Sequence, residues 1–183
     1  MLCDKENSAL IIIDVQTRLT ATMPVKVLAR LQRNIGLLIN AANIQQIPIF
    51  ASEQYPQGLG PLEHDIIKLL PADARMFEKT SFSCCADPRF NEELTASECK
   101  QIIITGMEAH ICVTQTAMDL IEDGYHVYIV VDAVCSQHRE SYETSLTRLR
   151  VAGAIILDTQ SVLFEWIRDA KNKDFKKIQS LLH

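Results

Sequence analysis

Gln101-Ile102-Ile103-Ile104-Thr105-Gly106 decides the fold. Three β-branched apolar residues in a row, closed by a glycine, read as a strand buried on both faces, as a helix-covered parallel sheet requires. Working downstream, residues 112–123 read as a helix stopping at Gly124, and Tyr125–Val131 as another apolar strand ending at Asp132. Ser141–Ala152 is helical with Gly153 as its terminator, Ala154–Leu157 is a last strand, and amphipathic helices follow at about 160–170 and 174–182. Upstream, Ala9–Ile13 is a second buried strand, ending at Asp14. Pro24 opens a long helix with Val27, Leu31, Ile35, Leu38 and Ala42 at helical spacing, and Ile49-Phe50-Ala51 follows as a strand. Residues 54–64, with Pro56, Gly58, Gly60 and Pro61, read as a loop. A short helix over Ile66–Leu70, a strand over Ala74–Glu78 and a helix over Asn91–Cys99 complete the pattern. Strands alternating with helices predict one domain over residues 1–183, a doubly wound α/β parallel sheet of about six strands of the Rossmann type.

Composition narrows the function. The 183 residues are 48% hydrophobic and 22% charged, which excludes a disordered chain. A net charge of −5 offers no basic face, so no nucleic-acid partner is expected. No apolar run approaches the roughly 18–20 residues that span a bilayer, and no signal peptide is read at the start, so a cytoplasmic location and no membrane partner are expected. Six cysteines are too sparse for a disulfide scaffold, and Cys84-Cys85 is a vicinal pair suited to neither zinc nor a relaxed disulfide. Neither GxGxxG nor a P-loop occurs, and Glu53, His64 and Asp65 are too scattered for a metal site; no cofactor and no metal are expected.

In an open parallel sheet, ligands sit beyond the carboxyl ends of the strands where the strand order reverses. Three reactive side chains fall at such places. Asp14 ends the first strand, where an aspartate either caps a turn or serves as a proton acceptor. Lys79 follows Ala74–Glu78. Cys112 lies after Gly106-Met107-Glu108-Ala109-His110-Ile111, at the entrance of a helix whose amides and dipole favour a thiolate and can cradle an oxyanion. On this reading Cys112 is the cysteine alkylated fastest near neutral pH. His110 is too close in sequence to orient as its base.

Ile12-Ile13-Asp14-Val15-Gln16, Lys79-Thr80-Ser81-Phe82 and Gly106-Met107-Glu108-Ala109-His110-Ile111-Cys112-Val113, in that order, resemble the isochorismatase-like cysteine hydrolases. Gly124 and Val130-Val131-Asp132-Ala133 follow in register, and the resemblance runs from about Ala9 to the end. Within it, Ser52-Glu53-Gln54-Tyr55-Pro56-Gln57-Gly58-Leu59-Gly60-Pro61 and the Asp174–Gln179 tail are most similar to the isochorismatase domain-containing subgroup. The resemblance implies an Asp14–Lys79–Cys112 triad, with Cys112 attacking a carbonyl carbon, Asp14 moving the proton and Lys79 supporting the thiolate. It implies a cis peptide at Met107–Glu108, an oxyanion hole from the amides of Glu108 and Cys112, and a substrate pocket lined by Gln16, Leu19 and Phe82. Nicotinamidases of this superfamily carry a metal site where this chain has Gln54–Pro61, and true isochorismatases replace the nucleophilic cysteine.

The expected function is therefore metal-independent hydrolysis of a small amide or related C–N bond through a thioester on Cys112. The alternative is a redox-responsive or scaffold protein. Its basis is Cys135, which follows its strand as Cys112 follows the neighbouring one, so that the two sulfurs could pair. The expected partners are a small-molecule substrate and further copies of the chain in a homo-oligomer. Phe164, Trp166, Ile167, Phe175, Ile178 and Leu182 make the tail apolar enough to dock on its own domain or on a symmetric copy.

Overall fold

The computed structural model describes residues 1–182. Six strands, β1 (Ser8–Ile13), β2 (Ile49–Gln54), β3 (Arg75–Lys79), β4 (Gln101–Met107), β5 (His126–Cys135) and β6 (Ile155–Leu157), form one sheet in the order β3-β2-β1-β4-β5-β6. Every pair is parallel. All residues of β1 and β4 are buried, the outcome expected of continuous isoleucine runs in the middle of a covered sheet. The helices are α1 (Thr17–Thr20), α2 (Val25–Gln45), α3 (Pro56–Leu59), α4 (His64–Ile67), α5 (Pro88–Ala96), α6 (Thr114–Glu122), α7 (Arg139–Ala152), α8 (Thr159–Ile167) and α9 (Phe175–Leu181).

Alternation along the strands sorts the core into two layers. Leu10, Ile12, Ile103 and Tyr128 face Leu31, Ile35 and Leu38 of α2 and Val162, Leu163 and Trp166 of α8. Ile11, Ile13, Ile102, Ile104 and Ile129 face Phe90 and Leu94 of α5, Ala117 and Leu120 of α6, and Leu149 of α7. The apolar tail docks on its own domain: Trp166 is buried with its indole N–H on Ser8 Oγ at 3.1 Å, and Ile178 joins the same layer.

The chain leaves β1 toward β2 and β3, then returns to place β4 on the other side of β1. The order thus reverses between β1 and β4, and the crevice opens at their carboxyl ends. Gly106 allows the close approach there. Its φ is +111°, and an added Cβ would lie 2.0 Å from the carbonyl oxygen of Ile13.

Several element boundaries differ from those read in the sequence. The 54–64 loop instead contains the last residue of β2, all of α3 and the first residue of α4. β5 continues past Val131 to Cys135, across a register irregularity between Ile104 and Gly106 of its partner β4. The helix expected over 112–123 is split: Ala109–Val113 forms a π-helical turn and α6 begins only at Thr114.

Candidate active site

Asp14 leaves β1 with φ at 51°, a left-handed conformation that aspartate tolerates better than most residues. That kink keeps the carboxylate inside the protein. Its Oδ1 accepts the hydroxyl of Ser52 at 2.7 Å and its Oδ2 accepts the ammonium of Lys79, also at 2.7 Å. The side chains of Lys79 and Asp14 are 1% and 0% exposed, so this is a dry ion pair. Such a pair holds only where the remaining hydrogen-bonding capacity is filled. Here it is filled: Lys79 Nζ also donates to Gln54 Oε1 at 2.7 Å and to the carbonyls of Phe82 at 3.1 Å and Ser81 at 3.3 Å.

Cys112 lies in the π turn beyond β4 and is 6% exposed. The Glu108 carbonyl accepts the amides of Ile111 at 3.0 Å and Val113 at 3.3 Å, the latter a bond of π-helical span. The Met107–Glu108 peptide is cis. The activated thiolate expected from the sequence is not what this environment favours. Burial pushes the Cys112 thiol above its ordinary value, the Asp14 carboxylate pushes it the same way, and the Lys79 ammonium opposes both. The thiol is therefore protonated at neutral pH, beside a carboxylate able to accept its proton.

The remaining expected residues fare differently. The side chain of Gln16 is buried and both of its amide N–H groups are committed, to the carbonyls of Gln54 at 3.0 Å and Gly60 at 2.7 Å. Its oxygen accepts the amide of Gln54 at 2.7 Å, so Gln16 braces the β2 end rather than presenting a free amide. Leu19 packs against the α2-side core, and Phe82 is half exposed, with its carbonyl on Lys79. His110 Nδ1 pairs with Ser136 Oγ at 2.9 Å. Cys135 is opposite Met107 across β4 and β5 and belongs to the α2-side layer, whereas Cys112 belongs to the other. The Cys112–Cys135 bridge is corrected on that ground: the strands are neighbours, but the sulfurs lie on opposite faces of the sheet.

Ser52 and Gln54 were not singled out as site residues in the sequence, although both stand in the Ser52–Pro61 stretch. Their period-2 spacing at the end of β2 places both on the face of Asp14, and that is the signal that would have found them. Glu53, between them, accepts the amide of Leu62 at 2.7 Å. Among the described residues, no three His, Cys, Asp or Glu side chains converge in a way that would hold a metal ion.

The reversed parallel sheet thus carries a buried aspartate–lysine pair and a cysteine turn at its switch point. The isochorismatase domain pattern matches residues 8–161, and the chain belongs to the isochorismatase family. It is 36% identical over 176 residues to isochorismatase family protein 1B of Dictyostelium discoideum, covering 94% of this chain and 84% of that protein. It is 34% identical to isochorismatase domain-containing protein 2 of Danio rerio, covering 97% and 87%. Among solved structures, a MAR1 ribonuclease from Caenorhabditis elegans superposes with a TM-score of 0.94 at 31% identity, covering 100% of this chain and 92% of that one.

Proposed function

We propose that this chain is a metal-independent cysteine hydrolase that cleaves a small amide or related C–N bond through a thioester on Cys112. The observation that supports the reading is the dry Lys79–Asp14 pair at 2.7 Å beside a buried Cys112. In the first half-reaction Asp14 takes the thiol proton as the sulfur attacks the carbonyl carbon. The amides of Glu108 and Cys112 receive the developing oxyanion. Asp14 then returns the proton to the leaving nitrogen as the C–N bond breaks, and the amine departs. In the second, Asp14 takes a proton from water, hydroxide adds to the thioester, and the returned proton releases Cys112 as the thiol with a free acid. Lys79 holds the Asp14 carboxylate in place between these transfers through its 2.7 Å bond to Oδ2.

Leu19 and Phe82 would line the entrance, and Gln16 would act by holding the β2 end. The ribonuclease activity stated for the nematode protein does not carry to this reading, because this chain has a net charge of −5 and its site cation is bound to Asp14. A homo-oligomer is part of the proposal. Light scattering on the eluting protein should give a mass above 20.6 kDa, and a monomer at micromolar concentration would remove that part.

The enzymatic reading is tested by ammonia release from a panel of small aliphatic and aromatic amides, with intact-mass detection of the acyl-enzyme. Turnover lost in Cys112→Ser, with a covalent adduct on Cys112 in the native chain, is the expected result. A fully reduced protein that turns over no amide and forms no adduct would sink it.

A further inference from the structure

Ser52 pairs with Ile13 in the β1–β2 register, which sets it beside Asp14. Its buried hydroxyl stands between two groups, 2.7 Å from Asp14 Oδ1 and 3.5 Å from Cys84 Sγ. Counting protons gives the direction of both bonds. The carboxylate has none to donate, so the hydroxyl proton goes to Asp14 and its lone pair receives the thiol proton of Cys84. Burial raises the Cys84 thiol and keeps that proton in place. Cys84 is fixed in turn by its amide, which donates to Thr116 Oγ1 at 3.0 Å. Lys79 holds the other carboxylate oxygen.

We propose that Ser52, aimed by Cys84, is a positioning residue for Asp14. With a donor on each oxygen the carboxylate cannot rotate, and its charge is spread over both bonds while it handles the Cys112 proton. The inference rests on the reading of Asp14 as the proton carrier for Cys112. The titratable groups acting on Cys112 are Asp14 at the end of β1, Lys79 at the end of β3 and Cys84 in the turn before α5. Removing the Ser52 hydroxyl concentrates negative charge on Asp14 beside the sulfur, so thiolate formation moves to higher pH.

The test is the pH dependence of Cys112 carbamidomethylation by iodoacetamide, resolved by peptide mass spectrometry on the full chain. Ser52→Ala should shift the onset upward and slow labelling about three- to tenfold on the rising limb, a shift of half to one pKa unit. Ser52→Thr, which keeps the hydroxyl, should restore it. Cys84→Ala, which leaves the hydroxyl but removes its aiming donor, should shift the onset the same way by less, and serves if Ser52→Ala does not fold. Asp14→Asn should move the onset downward, and adding Ser52→Ala in that background should do nothing more. An Asp14→Asn shift with no effect of Ser52→Ala or Cys84→Ala overturns the role of Ser52 alone. So does a Ser52→Ala shift that persists without the Asp14 charge. No shift in Asp14→Asn overturns the proton-carrier reading and this inference with it.

Discussion

Lys79 is the residue whose environment departs most from what its position in the chain suggests. In the sequence it is one lysine following the Ala74–Glu78 stretch; in the fold it is a buried cation against a buried carboxylate and is held by four oxygens. Lys79→Met therefore leaves the Asp14 carboxyl without its ionic partner in a dry site. Breaking a buried pair in this way costs about 3–5 kcal/mol, and urea unfolding should read a loss of that size. A change below about 1 kcal/mol would mean that water reaches Asp14. The same variant should slow Cys112 alkylation, because the opposing ammonium is gone. Asp14 and Cys112 were legible as candidates because each follows an apolar run at a strand end. The charge state of Cys112 was not, because a helix-entrance argument contains no measure of burial, and burial decides it here.

At the level of elements, the strands were legible almost throughout, because isoleucine and valine runs bounded by Gly, Pro and Asp leave few alternatives. The π turn was not. One extra residue in a turn leaves no trace in a 3.6-residue pattern, and Ala109–Val113 is too short to show a period at all. The two layers of core likewise follow from alternation, yet the separation of Cys135 from Cys112 needed the register of β4 on β5. The contact most sensitive to substitution joins β1 and β4. Gly106→Ala meets both a positive φ and backbone atoms of Ile13 at 2.0–2.8 Å, neither of which can yield. We expect a loss of about 3 kcal/mol or more in chemical denaturation. A Gly106→Ala protein within 1 kcal/mol of the native chain would show that the two strands can separate without penalty.

For the molecule as a whole, the thiols set an alkaline limit. All six cysteines are free, and every one has its thiol raised, with burial as the first cause. Burial also leads for the two raised tyrosines, Tyr128, pushed up to about 12, and Tyr142. A group whose folded pKa exceeds its unfolded one stabilises the fold fully below the unfolded value, and loses that contribution as pH rises toward the folded one. Above about pH 8.5–9 the unfolded chain sheds thiol protons that the native chain keeps, at up to about 1.4 kcal/mol per thiol per pH unit. Thermal unfolding followed by circular dichroism should therefore be flat from pH 7 to 8 and fall steeply between pH 9 and 10.5. A melting temperature unchanged at pH 10 would contradict the burial of these groups.

The 6% exposure of Cys112 makes the crevice a steric sieve as well as a dry site. With so little of the residue exposed, we expect a small reagent such as iodoacetamide to label Cys112 faster than a bulky N-aryl maleimide. The ratio of the two labelling rates, taken against the partly exposed Cys85 as an internal reference, is thus a gauge of how wide a substrate the crevice admits. A ratio strongly favouring the small reagent restricts the search to acyl groups of a few heavy atoms.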